Sequence, residues 1–138
     1  LCENSGVIPA VNQLECHPFY QREALKRTLE DYGIAFESWA SFAEGKNDIF
    51  KNAVLSGIGE KYGKSAAQVI LRWLIQRGIV VIPKSVKIER MKQNFDIFDF
   101  ALAPDDMAAI AALDTGKTLF FDHADPERVK WIIHAFDK

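Results

Sequence analysis

The chain has 138 residues, of which 49% are hydrophobic and 26% charged, and its formal net charge is −2. This is the ordinary mix of a folded soluble chain of about one domain. It lacks the basic field of a general nucleic-acid binder, and no apolar run approaches the roughly 18 residues of a membrane span. The chain opens at Leu1 with neither a signal peptide nor an initiator Met, so upstream sequence is expected to be missing.

Residues 8–16 (IPAVNQLEC) predict a strand, and His17-Pro18 stops it, because a residue before proline avoids the helical region. Residues 21–32 predict a helix, with Leu25, Leu29 and Tyr32 at helical spacing and Gly33 as its C-terminal cap. Residues 34–39 (IAFESW) predict a second strand, and 40–48 a loop. A helix over about 50–61 is weakened by Gly57 and Gly59. Ser65 and Gln68 have the spacing of a capping box. The helix they open places Ala66, Val69, Ile70, Trp73 and Leu74 on one face, which is the strongest helical signal in the chain. Residues 79–82 (IVVI) read as a third, buried strand, and a short helix follows over about 88–94.

Pro104, with Asp105 and Asp106 behind it, starts another helix, since proline and carboxylates suit a helix N-terminus. Asp125-Pro126 repeats the signal, and Val129, Ile132, Ile133 and Phe136 give the last helix its stripe. Between these helices, 114–124 reads as a long loop with an exposed pair, Phe120-Phe121, that covers a mouth or an interface. Strand and helix alternate, which implies parallel strands joined by crossover helices. Three such strands cannot cover both faces of a parallel sheet. The chain therefore reads as part of a larger α/β domain, and an eight-stranded barrel of about 250 residues is one whole that fits.

The candidate chemistry gathers at strand ends, where parallel α/β proteins bind ligands. Lys84 and Ser85 follow the third strand, and Arg90 sits in the next helix with Asn94 four residues on. A point charge, a planar fork and a helix N-terminus suit an anion, phosphate above all. A solvated helix start with ordinary surface charges reads equally from these residues. Trp39 ends the second strand and offers either a flat face to a planar ring or packing under a loop. Asn12, Gln13 and Glu15 make the first strand unusually polar, which implies a ligand, a polar barrel interior or an internal hydrogen-bond network. His17, His123 and His134 lack metal-ligand spacing. Cys16 and His17 do not form a nucleophilic pair, because neighbours on a strand point to opposite faces. Cys2 and Cys16 read as free thiols in a reducing compartment, hence the cytoplasm, rather than as a disulfide.

Three stretches together resemble the C-terminal half of an aldo-keto reductase. Ile82-Pro83-Lys84-Ser85 with Arg90, Gln93-Asn94 and Ile97 resembles the family's C-terminal signature. Residues 9–18 (PAVNQLECHP) resemble its sixth-strand motif. Residues 119–123 (LFFDH) with Asp125-Pro126-Glu127 resemble the tail of the bacterial branch containing 2,5-diketo-D-gluconate reductases. The resemblance covers essentially the whole chain, as one portion of a single barrel domain.

It implies a partial (β/α)8 (TIM) barrel holding barrel strands six to eight, and NADP(H) as cofactor. Lys84, Ser85 and Arg90 would hold the 2′-phosphate, and Gln93 and Asn94 the adenine. Gln13 would bind the carboxamide of the nicotinamide, and Trp39 would stack on its ring. Many relatives carry Glu where this chain has Gln93. Ser41 stands where the family usually has Pro, which bears on the stiffness of the loop after Trp39. The family's catalytic Asp, Tyr, Lys and His belong to its N-terminal half, and no motif for them is found here. Tyr20, Tyr32 and Tyr62 lie in the wrong contexts to replace the proton donor. The expected function is therefore the cofactor-binding half of a reductase of small aldehydes or ketones, inactive as this chain. The alternative is a non-catalytic module that self-associates through its open barrel edge.

Overall fold

The computed structural model describes residues 2–122 and 125–135. Helix α1 (Cys2–Ser5) precedes strand β1 (Val11–Glu15), and α2 (Glu23–Asp31) leads to β2 (Ala35–Trp39). A run of 3-10 turns (Ala43–Lys51), α3 (Ala53–Tyr62) and α4 (Ala66–Gln76) lead to β3 (Val80–Val81). Helices α5 (Ile88–Phe95), α6 (Pro104–Ala111) and α7 (Pro126–Ala135) follow. The strands form one parallel sheet in the order β1-β2-β3, with Glu15 opposite Trp39 and Glu37 opposite Val80. Parallel register puts all three carboxyl ends on one side of the sheet.

Helix α4 forms because Ser65 and Gln68 make the expected capping box, Ser65 Oγ accepting from Gln68 N–H and Gln68 Oε1 from Ser65 N–H. Val69, Ile70, Leu71, Trp73 and Leu74 are buried on it. Ile70, Trp73 and Leu74 join Leu29, Phe36 and Ile79 in one apolar core. Each such side chain removed from water stabilises by about 1.5–3 kcal/mol. The opposite face of the sheet is open, with Val11 51%, Val80 46% and Ile82 54% exposed. Helices therefore cover one face only, as the strand count predicted.

Several boundaries differ from the sequence reading. The apolar run 79–82 contributes only Val80 and Val81 to the sheet. Among the described residues its strand partner is β2, and Pro83 has no N–H to extend the ladder. Helix α3 starts at Ala53 rather than near Phe50, because Asn52 caps it by accepting from the N–H groups of Val54 and Leu55. Residues 40–48 are not a simple loop. Ala40, Ala43, Glu44, Asn47 and Asp48 all take left-handed φ values of 48° to 53°, which is costly for residues with a Cβ. Buried Ala43 and Ile49 pin that path from inside. Phe120 and Phe121 are half-buried, not exposed. Helix α7 has no buried residue, and Ile133 on its expected stripe is 59% exposed. Phe136, His123, Ala124 and the Cys2 side chain lie outside the described residues.

Gly57 and Gly59 separate propensity from packing. A Cβ at Gly57 meets nothing within 4 Å, whereas one at Gly59 would collide with the Lys64 carbonyl oxygen. Gly57→Ala is expected to raise stability by about 0.5–1 kcal/mol. Gly59→Ala is expected to lower it by about 1–3 kcal/mol, as overpacking does. Urea unfolding of the two variants beside the parent checks the opposite signs.

Candidate functional site

The residues at the carboxyl ends of the strands line two separate clefts. The first has a volume of about 400 Å³ and contains Lys84, Ser85, Arg90, Gln93 and Asn94 along one wall. Ser65, Ala66 and Ala67 at the start of α4, with Phe42 and Phe50, form the other wall. Ser85 Oγ accepts from the Lys87 N–H at 3.1 Å, which folds the chain into the start of α5. Arg90 and Asn94 then fall on one helix face, one turn apart. Among the described residues neither Lys84 nor Arg90 takes part in an ion pair. Two uncompensated cations, a hydroxyl and a helix N-terminus thus share one cleft, which suits a phosphate. Phe42 and Phe50, with ring centroids 5.6 Å apart, supply an apolar wall that the sequence reading did not single out.

The second cleft, of about 440 Å³, is lined by Gln13, Glu15, Tyr20, Arg22, Trp39, Thr118, Phe121 and Asp122. The seven candidate residues therefore divide, with Gln13 and Trp39 here and the other five in the first cleft. Gln13 Nε2 donates to Glu37 Oε1 at 2.5 Å, across the β1–β2 pair. Phe120 lies 4.9 Å from Trp39 at 57°, and Phe121 stacks on Trp39 at 6.2 Å and 28°. The aromatic pair read from the sequence as a cover thus covers Trp39. Ser41, the departure from proline, is buried and shares a 2.7 Å hydrogen bond with Ser38 Oγ. That hydroxyl ties down the start of the loop where a proline ring would stiffen it.

At the end of β1, the polarity of Glu15 resolves into an internal network. Glu15 is 5% exposed and accepts from Thr118 Oγ1 at 2.5 Å and from the Leu119 N–H at 2.9 Å. His17, fully buried, contacts its Oε1 through Nε2 at 3.0 Å. A neutral imidazole carrying its proton on Nε2 satisfies that contact and leaves Nδ1 without a partner among the described residues. Burial holds the His17 imidazole below its ordinary value, against the upward pull of Glu15. Cys16 is a buried free thiol, and burial pushes it up to about 11, which disfavours the thiolate form at neutral pH. Among the described residues no cluster of His, Cys, Asp or Glu could hold a metal ion. None of their helices is long and apolar enough to cross a membrane.

The model of the aldo/keto reductase family matches residues 2–115. The chain belongs to the aldo-keto reductase family. It is 46% identical over 119 residues to an aldo-keto reductase of Mycolicibacterium smegmatis, covering 86% of this chain and 42% of that protein. It is 42% identical over 119 residues to methylglyoxal reductase DkgA of Escherichia coli K12, covering 86% of this chain and 43% of the relative. A crystal structure of a Gox0644 mutant in complex with NADPH superimposes with a TM-score of 0.80 at 39% identity, over 85% of this chain and 43% of that one. This aldo-keto reductase chain thus spans less than half the length of the curated relatives it matches. Its three parallel strands are one part of a (β/α)8 barrel, which accounts for the open sheet face. The resemblance drawn from the three sequence motifs is thereby borne out at the level of family and fold.

Proposed function

We propose that this chain is the NADP(H)-holding part of a reductase that delivers hydride to an aldehyde or ketone. The observation that carries the reading is the first cleft, where Lys84, Ser85, Arg90, Gln93 and Asn94 converge and neither cation is ion-paired within the described residues. Lys84, Ser85 and Arg90 hold the 2′-phosphate, and Gln93 and Asn94 receive the adenine beside the Phe42–Phe50 wall. Gln13 and Trp39, in the neighbouring cleft, take the nicotinamide. The cofactor supplies the hydride. The fit is better at the phosphate end, where neither cation is ion-paired among the described residues, although the Ser85 hydroxyl is engaged by the Lys87 backbone. At the other end Gln13 is engaged by Glu37, and Phe121 lies on Trp39. Support from outside the chain is the structural neighbour held with NADPH. The buried free thiol of Cys16 accords with a reducing compartment, and the proposed location is the cytoplasm.

Titration of this chain with NADPH and NADH tests the reading. A charge-assisted hydrogen bond contributes about 1.5–3 kcal/mol, so Arg90→Ala is expected to weaken NADPH binding by roughly 10- to 100-fold. NADH binding should be nearly unchanged. Equal affinity for the two cofactors, insensitive to Arg90, would overturn the assignment.

The proposal also holds that the chain does not turn over by itself, since the tetrad expected of the family is not found in it. Methylglyoxal with NADPH is the assay, and consumption of NADPH well above background would refute this part.

A second reading, association of copies through the open edge, is favoured by the apolar surface beside β3. Val80, Ile82, Met91, Phe95 and Phe98 are between 46% and 78% exposed there. An unpaired strand edge with such a surface favours association. Light scattering is expected to show a dimer or larger species. A monomer at all concentrations leaves the cofactor-holding reading alone.

A further inference from the structure

The loop after α6 crosses the carboxyl ends of β1 and β2 as a strap, held by polar tethers and by Leu119, which packs against the core. Its root is held where Thr115 N–H and Oγ1 donate to the Phe19 carbonyl at 2.9 and 2.8 Å. Its tip is held by Glu15, through Thr118 Oγ1 and the Leu119 N–H. From the other side Lys46 Nζ donates to the Leu119 carbonyl at 2.8 Å and sits 3.7 Å above the Phe120 ring. Beyond the tip, the Phe121 ring stacks against Trp39 at an interplanar angle of 28°. A planar ring between two aromatic faces needs them about 7 Å apart, twice a carbon–carbon contact distance. The ring centroids are 6.2 Å apart, so a ligand ring does not fit between Phe121 and Trp39 while the strap is down.

We propose that Glu15 is a positioning residue whose carboxylate latches residues 118–121, so that Phe121 gates the covered face of Trp39 against a planar heteroaromatic ring. The latch needs a carboxylate. Three donors converge on Glu15: the Thr118 hydroxyl, the Leu119 N–H and the His17 Nε2–H. An amide at this position offers one acceptor oxygen and turns an N–H group toward one of those donors. The gate itself stands independently of the cofactor. That the ring entering it is the nicotinamide rests on the function proposed above.

Tryptophan quenching reads the gate without any ligand. Trp73 is 1% exposed and Trp131 62%, so in a Trp131→Phe background Trp39 is the tryptophan a quencher can reach among Trp39 and Trp73. Thr118→Val and Glu15→Gln in that background are expected to raise acrylamide quenching about two- to threefold. Thr118→Ser, which keeps the hydroxyl, should match the background protein. Amide exchange in α4 controls for general loosening and should not change. Quenching that is unaltered in Thr118→Val, or faster α4 exchange to the same degree, would overturn the latch. So would a failure of Thr118→Ser to restore shielding. Stopped-flow binding of NADPH then reads what the gate admits, and Thr118→Val is expected to speed association about threefold or more. Unchanged association with raised quenching overturns the gating of the cofactor ring. If the background protein binds no NADPH at all, the proposed function fails, and the quenching series still decides the latch.

Discussion

The burial of α4 is the constraint on which the rest of this structure depends. Its apolar face supplies the floor under the sheet, and its polar residues reach sideways to tie down the segments that carry the first cleft. Gln68 Nε2 donates to the Asp96 carbonyl at 2.8 Å, and Arg72 to that of Ile97 at 3.2 Å. Gln76 exchanges two hydrogen bonds with the Leu102 backbone. Arg77, next in the chain, holds the Gln21 carbonyl and pairs with Glu23 at 3.0 Å. One helix thus fixes the chain after α5 and the entry to α2 against the same core. Buried backbone groups in those connections find partners on α4 instead of water.

With that helix in place, the parallel register does the remaining work of positioning. Glu15 and Trp39 are register partners at adjacent strand ends. The strap therefore meets its latch and its aromatic partner side by side. Lys84 and Ser85 come from the third strand end, and Asn94 and Arg90 from the helix it leads into. The two clefts lie along one rim of the sheet. The uncovered face below them is what a fraction of a barrel must show, because the strands that would close it are not among these three.

Much of this was legible in the sequence. The capping box of Ser65 and Gln68, the stripe ending at Trp73 and Leu74, and the strand–helix alternation all follow from local rules of backbone satisfaction and period. Charge and hydroxyl at Lys84, Ser85 and Arg90 marked the first cleft for the same local reason. What stayed hidden depends on distant partners. Asn52 as a cap, the left-handed turns from Ala40 to Asp48, and the Phe42–Phe50 wall leave no periodic trace. The third strand read longer than it is, since hydrophobicity reports burial but not whether a neighbour offers hydrogen bonds.

The sequence by itself determined the order of the main strands and helices and which residue types stand at each strand end, because these depend on neighbours within a few positions. Only the tertiary structure decided how the polar residues of β1 are used. Glu15 and Thr118 are 103 residues apart in the chain and 2.5 Å apart in space. Spacing cannot announce such a contact, since it exists only when the last loop folds back over the first strand. The same fold-back turned an apparently exposed Phe120-Phe121 pair into the cover of Trp39. It also divided seven candidate residues between two clefts, because strand order and register, not sequence distance, set which side chains share a space.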